Sequence, residues 1–141
     1  MAGLRRWCAA ILEIQQQRRG IGGCPVGSLA ASALSDSSED ARLLLVDSFR
    51  RWEVRLETGL RAMQHTGELQ ADADPADLAA AIMAALQGGL LLTQTTRATR
   101  HLQLSLDMAL HHIARHLHDQ HHTISTAAAS RSGPRSPAAP G

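Results

Sequence analysis

The stretch Asp74-Pro-Ala-Asp-Leu-Ala-Ala-Ala-Ile-Met-Ala-Ala-Leu-Gln-Gly-Gly-Leu-Leu-Leu-Thr-Gln-Thr95 decides the fold. Asp74 offers a capping carboxylate, Pro75 suits a first helical position, and Asp77 stands near the positive end of the dipole, so a helix is expected from Pro75 to about Thr95. No charge occurs from Leu78 to Thr96, as in a membrane span, yet Gln87, Gln94 and three threonines leave a mainly apolar run of only Leu78 to Leu92. That run is shorter than the roughly 20 residues a bilayer requires, and a buried helix accounts for it better. Ala81, Ala85 and Gly89, with the parallel row Ala80, Ala84 and Gly88, form small-residue rows along which another helix can approach closely.

Apolar residues on more than one side of this helix suggest that one face enters the domain and another meets a partner. The next apolar series, Leu102, Leu106, Leu110, Ile113 and Leu117, marks a last helix after the break at Arg97-Ala-Thr99. Two such helices from each of two copies would make a two-fold four-helix interface, with Ala81, Ala85, Gly89, Leu106, Leu110, Ile113 and Leu117 as its expected residues. The alternative is the central helix of a monomer. Replacing Ala85 or Gly89 by a bulky charged residue should give monomers on the first reading.

Upstream, Leu45, Phe49, Trp52, Leu56, Leu60 and Met63 step by three or four behind the cap-rich Ser35–Asp40, predicting the strongest amphipathic helix, ending near Gly67. Trp7, Ile11, Leu12 and Ile14 predict a first helix over Ala2 to Arg19, stopped by Arg18-Arg19-Gly20. A glycine-rich loop from Gly20 leads to a short helix near Ser28 to Leu34. Period-two alternation is absent, so the class is all-α with about five helices over residues 1–122. From Thr123 to Gly141 the Ala, Ser and Pro-rich tail has too few large apolar residues to offset the entropy of ordering, and disorder is expected.

The 141 residues and 15.1 kDa fit one domain, and 44% hydrophobic residues can bury a core. Arg supplies all fourteen basic residues against thirteen acidic ones, a net charge of +1 that argues against binding nucleic acid by bulk charge. Cys8 and Cys24 form no CxxC pair, and the apolar run Trp7 to Leu12 is too short for a signal peptide, so a reduced cytoplasm is expected. No nucleophile elbow, HExxH or Walker A pattern is present, and neither an enzyme nor a cofactor-bound protein is expected. Cys24-Pro25 lacks an adjacent base, and a packing or turn role suits it better than reactivity.

Seven of the eight histidines, His101, His111, His112, His116, His118, His121 and His122, gather on the last helix and its end. His112 and His116, one turn apart, could share a metal ion, and a histidine-rich metal-binding helical protein is the alternative function. A solvated helix face and fraying end is the simpler reading, with no metal site. Trp7, Ile11, Phe49, Trp52, Leu56 and Met63 place both tryptophans, the one phenylalanine and a methionine on the inner faces of two helices. Opposite many alanines they could enclose an apolar ligand pocket as well as pack a core.

The pieces Gly22-Gly-Cys-Pro-Val-Gly-Ser-Leu-Ala30, Phe49-Arg-Arg-Trp52, Leu69-Gln-Ala-Asp-Ala-Asp-Pro75 and Ala85-Leu-Gln-Gly-Gly-Leu-Leu-Leu-Thr-Gln94 resemble, in this order, the C-terminal domain of TetR/AcrR-type regulators. They are most similar to the LmrA/YxaF-like subgroup, and the resemblance runs from about Leu4 to Leu117. It implies a helical domain that binds a small hydrophobic effector between its earlier helices and dimerises through its last two, Pro75–Thr95 and Thr99–Leu117. Full-length members read DNA through an N-terminal helix-turn-helix unit. That unit has no counterpart before Leu4, so the chain is expected to be a fragment or truncated member that cannot bind DNA alone. It could act as a homodimer or as a heterodimer with a full-length relative, away from membranes. Ala98-Thr99 departs from the Asp-Pro cap of relatives and implies a frayed start to the last helix. If the pocket reading holds, hydrophobic drugs or fatty acids raise the melting temperature, and a flat melting screen contradicts it.

Overall fold

A computed structural model describes residues 1–24, 26–27 and 39–118. Within them lie four helices: α1 (Ala2–Gln17), α2 (Glu39–His65), α3 (Pro75–Thr96) and α4 (Arg100–Ala114). The architecture is all-α, and the one β-type pairing among the described residues is an isolated bridge between Leu69 and Leu117. The short helix expected near Ser28–Leu34 and the tail from Thr123 lie outside the described residues.

Each helix stops for a local reason. At the end of α1, the Arg19 amide donates to the Gln16 carbonyl and the Gly20 amide to the Gln15 carbonyl, both at 3.0 Å. This Schellman pattern needs a left-handed residue, and Arg19 takes it at φ 52°, which ends the helix at Gln17 rather than the expected Arg19. The end of α2 repeats the pattern with glycine in that position: Gly67, at φ 73°, donates to Gln64, and Glu68 donates to Met63. Asp74 caps α3, its Oδ1 accepting from the Ala76 and Asp77 amides at 2.8 and 3.4 Å. Thr99, at the start of α4, makes no side-chain cap bond.

The last helix ends at Ala114, three residues short of the expected Leu117. Arg115 and His116 turn tightly, their amides reaching His112 and Ile113, and the chain then straightens. Gln70 donates to the His116 carbonyl at 2.8 Å and His118 to the Glu68 carbonyl at 3.1 Å. Leu117 therefore belongs to a bridge that ties the end of α4 to the α2–α3 connection, which corrects its expected place on a helical interface.

The core forms around α3, which packs extensively on both α2 and α4. Met83, Leu86 and Leu90 join Cys8, Cys24, Leu102, Leu106 and Leu110 in one cluster, while Leu78, Ala79 and Ile82 join Leu60, Leu69 and Ile113 in another. Although α3 is long and apolar enough to cross a membrane, these side chains of it are buried against other helices, as in the core helix of a soluble domain. Gly89 sits where α3 meets α4: a Cβ there would lie 2.8 Å from the Leu102 Cα and 2.5 Å from the Ser105 Oγ. The neighbouring Gly88 is exposed, with nothing within 4 Å of such a Cβ.

The two glycines should therefore respond oppositely to alanine. Gly89→Ala must push α3 and α4 apart and is expected to cost about 1–3 kcal/mol, the usual range for overpacking. Gly88→Ala is expected to gain up to about 1 kcal/mol from helix propensity. Urea unfolding of both variants checks this, and equal effects would contradict the assigned packing.

Candidate functional site

The four-helix arrangement leaves α1 and α2 without the extensive pairing that joins α2 to α3 and α3 to α4. A cavity of about 810 Å³ lies between them. Leu4, Trp7 and Ile11 form one wall, a stripe of α1 with helical spacing, and Trp52, Leu56, Leu60 and Met63 form the facing wall on α2. Met83 of α3 also lines it. Both tryptophans are only partly buried, so their rings have apolar area still available to a ligand.

Five of the six residues expected around a pocket, Trp7, Ile11, Trp52, Leu56 and Met63, surround this cavity. The sixth, Phe49, packs against the first core cluster, as Trp7, Ile11, Trp52 and Leu56 also do, and is not among the residues that line the cavity. Sequence reading also missed Leu4, Met83, Gly3 and Gly59. Leu4 was visible in principle, since it continues the Trp7–Ile11 stripe by one turn. Gly59 carried a weaker signal as a glycine inside an amphipathic helix, where it leaves open space beside the wall, with nothing within 4 Å of an added Cβ.

Two charged residues line the cavity, Arg55 and Glu68. The Met1 amine donates to the Glu68 carboxylate at 2.5 Å and lies 3.4 Å from the Met63 sulfur. Arg55 has no hydrogen-bond or ion-pair partner among the described residues. By contrast, Arg42, Arg51 and Arg61 of the same helix pair with Glu39, Asp47 and Glu57 at 2.6–2.7 Å. The residues three and four before and after Arg55 are Trp52, Arg51, Thr58 and Gly59, none of them acidic, while Arg50 is likewise without an ion pair among the described residues although Asp47 and Glu53 stand three residues to either side.

A second surface lies on the outside of α3 and α4. Ala81, Ala85, Met108, Ala109, His111, His112 and Arg115 line a depression there. Around it, Leu91, Leu92, Leu104 and Met108 are exposed, Leu91 by 63% and Met108 by 69%. Of the expected interface residues, Ala81 and Ala85 lie on this outer side. Gly89, Leu106, Leu110 and Ile113 instead face inward and are buried within the single chain, which corrects their assignment. The reason is geometric: the Leu102–Leu106–Leu110–Ile113 stripe and the Leu104–Met108–His111–Arg115 stripe are different faces of α4, and the more leucine-rich stripe is the one that packs on α3.

The histidines do not converge. Among the described residues no three of His, Cys, Asp or Glu gather as metal ligands. His112 Nδ1 lies 2.7 Å from the Arg115 guanidinium and His111 Nδ1 lies 2.7 Å from the Asp107 carbonyl, so each already has a partner. The His112 and His116 rings meet edge to face with centroids 5.2 Å apart. The metal-binding alternative therefore has no ligand set among the described residues, while His121 and His122 lie outside them.

The tetracyclin repressor-like C-terminal domain model matches residues 1–109. No curated protein and no solved structure matches the chain.

Cys8, beside the cavity wall on α1, gives a test of the packing. Burial pushes its thiol up to about 11 from the ordinary 9.0, aided by the nearby Asp107 carboxylate and opposed by Arg5. The unfolded thiol therefore ionises first: stability is full below pH 9 and falls as pH rises towards 11. The chain has neither Lys nor Tyr, so few other groups titrate in that window. Urea melts from pH 8 to 11 should show the decline, and Cys8→Ala should flatten it. A decline of the same size in the variant would contradict the burial of this thiol.

Proposed function

The chain belongs to the family of tetracycline repressor-like C-terminal domains, and from that premise we propose that it is the effector-sensing and dimerising module of a TetR-type transcriptional regulator of the LmrA/YxaF-like kind. The observation that carries this reading is the cavity between α1 and α2, with both tryptophans in its walls. Its size falls within the range of about 300–1,000 Å³ that suits small-molecule ligands. A small hydrophobic effector would fill space that α1 and α2 leave between them and would restrain their separation. Nothing in this role requires catalysis, and a cytoplasmic location follows from it.

The outer face of α3 and α4 supplies the second half of the proposal. Ala81, Ala84 and Gly88 keep the α3 surface low, while Leu91, Leu92, Leu104 and Met108 present apolar area to water. A second copy meeting the same face by a two-fold axis would bury it in a four-helix interface. In such regulators a separate helix-turn-helix reads DNA, and a dimer sets the spacing of two reading heads. Effector binding then acts by favouring one arrangement of the dimer over another.

The interface reading is tested at residues that the protomer core does not use. Ala84→Arg and Met108→Arg are expected to give monomers by sedimentation velocity with little change in melting at matched concentration, beyond the loss of dimer linkage. Persisting dimers in both variants would refute this face.

A further inference from the structure

The guanidinium of Arg55, without a partner among the described residues, stands on the wall of an apolar cavity. We infer that the cavity takes an amphipathic anion, an apolar body carrying one carboxylate or similar group, with Arg55 as the residue that receives the charge. This rests on the reading of the cavity as the effector site and narrows the effector's chemical class.

Three facts carry it. First, of the five arginines of α2, Arg42, Arg51 and Arg61 pair with acids along the helix, and of the two without a partner among the described residues, Arg50 and Arg55, Arg55 is the one that lines the cavity. Second, Gly59, one turn further along α2, also lines the cavity and leaves open space where a side chain would otherwise stand. An anionic head group approaching Arg55 from the cavity meets no bulk at that position. Third, Arg55 is the one basic side chain among the described residues that line the cavity, and the acidic one, Glu68, accepts a hydrogen bond from the Met1 nitrogen. A guanidinium binds a carboxylate through parallel N–H···O bonds, which adds orientation to attraction. The remaining walls, Trp7, Trp52, Leu56 and Met63, accept the apolar body without selecting its detailed shape.

The experiment uses a built-in reporter, because the chain's two tryptophans both line the cavity. The full chain is titrated at neutral pH and low salt with decanoate, 1-decanol and decyltrimethylammonium, each below micelle formation, following tryptophan fluorescence. Because Arg55 is exposed to solvent, the expected preference is modest: decanoate binds about three- to tenfold more tightly than decanol, and the cation binds most weakly. Added salt narrows the preference. Arg55→Gln brings decanoate to the level of decanol while leaving decanol unchanged, and Arg55→Lys retains part of the preference. Equal binding of decanoate and decanol by the wild type, an unchanged ratio in Arg55→Gln, or preference for the cation would overturn the inference while leaving the cavity reading intact. If none of the three ligands changes fluorescence or melting, the effector-site reading falls with it.

Discussion

The close approach of α3 and α4 at Gly89 is the constraint on which the rest of the structure depends. With a backbone Cα of Leu102 lying where a side chain of residue 89 would begin, the two helices meet without a spacer. That contact turns Leu102, Leu106, Leu110 and Ile113 inward and, by helical geometry, turns Leu104, Met108, His111 and Arg115 outward. It also orients α3 so that Met83 reaches the cavity while Leu91 and Leu92 face away. One helix pair thus separates a cavity-lining side from an exposed apolar side.

The cavity follows from what this pair leaves uncovered. α2 packs extensively on α3 and not on α1, and large side chains of α1 and α2 stand half-buried on either side of a gap. Such a gap forfeits dispersion contacts that a filled core would make. A ligand that restores such contacts would stabilise the fold by mass action. The exposed side of α2 contributes differently, through ion pairs such as Arg51–Asp47 and Arg61–Glu57 that keep it solvated.

Much of this was legible in the residues themselves. The Asp74-Pro75 cap set the start of α3, and glycine or left-handed residues set the ends of α1 and α2 within two residues. The pocket walls were readable because large side chains at helical spacing are rare in this chain, so their convergence narrowed the choice. Phe49 was harder to place, since a bulky side chain on the inner stripe serves core or cavity alike. The exposed apolar face was less legible: a leucine stripe signals burial without naming what buries it, and the leucines of α4 went to its own α3. Arg55 could not be singled out in the sequence, because what sets it apart from Arg50, which also lacks a partner among the described residues, is its place in the cavity wall. Among the described residues, the histidines that stand close in sequence do not gather as metal ligands.

The central claim is that one helix pair serves both faces, and amide hydrogen exchange across a dilution series tests it most directly. Protection lost as copies separate is expected to be confined to α3 and α4, with α1 and α2 exchanging at unchanged rates. Protection lost from α1 or α2 instead, with α3 and α4 unaffected, would contradict it.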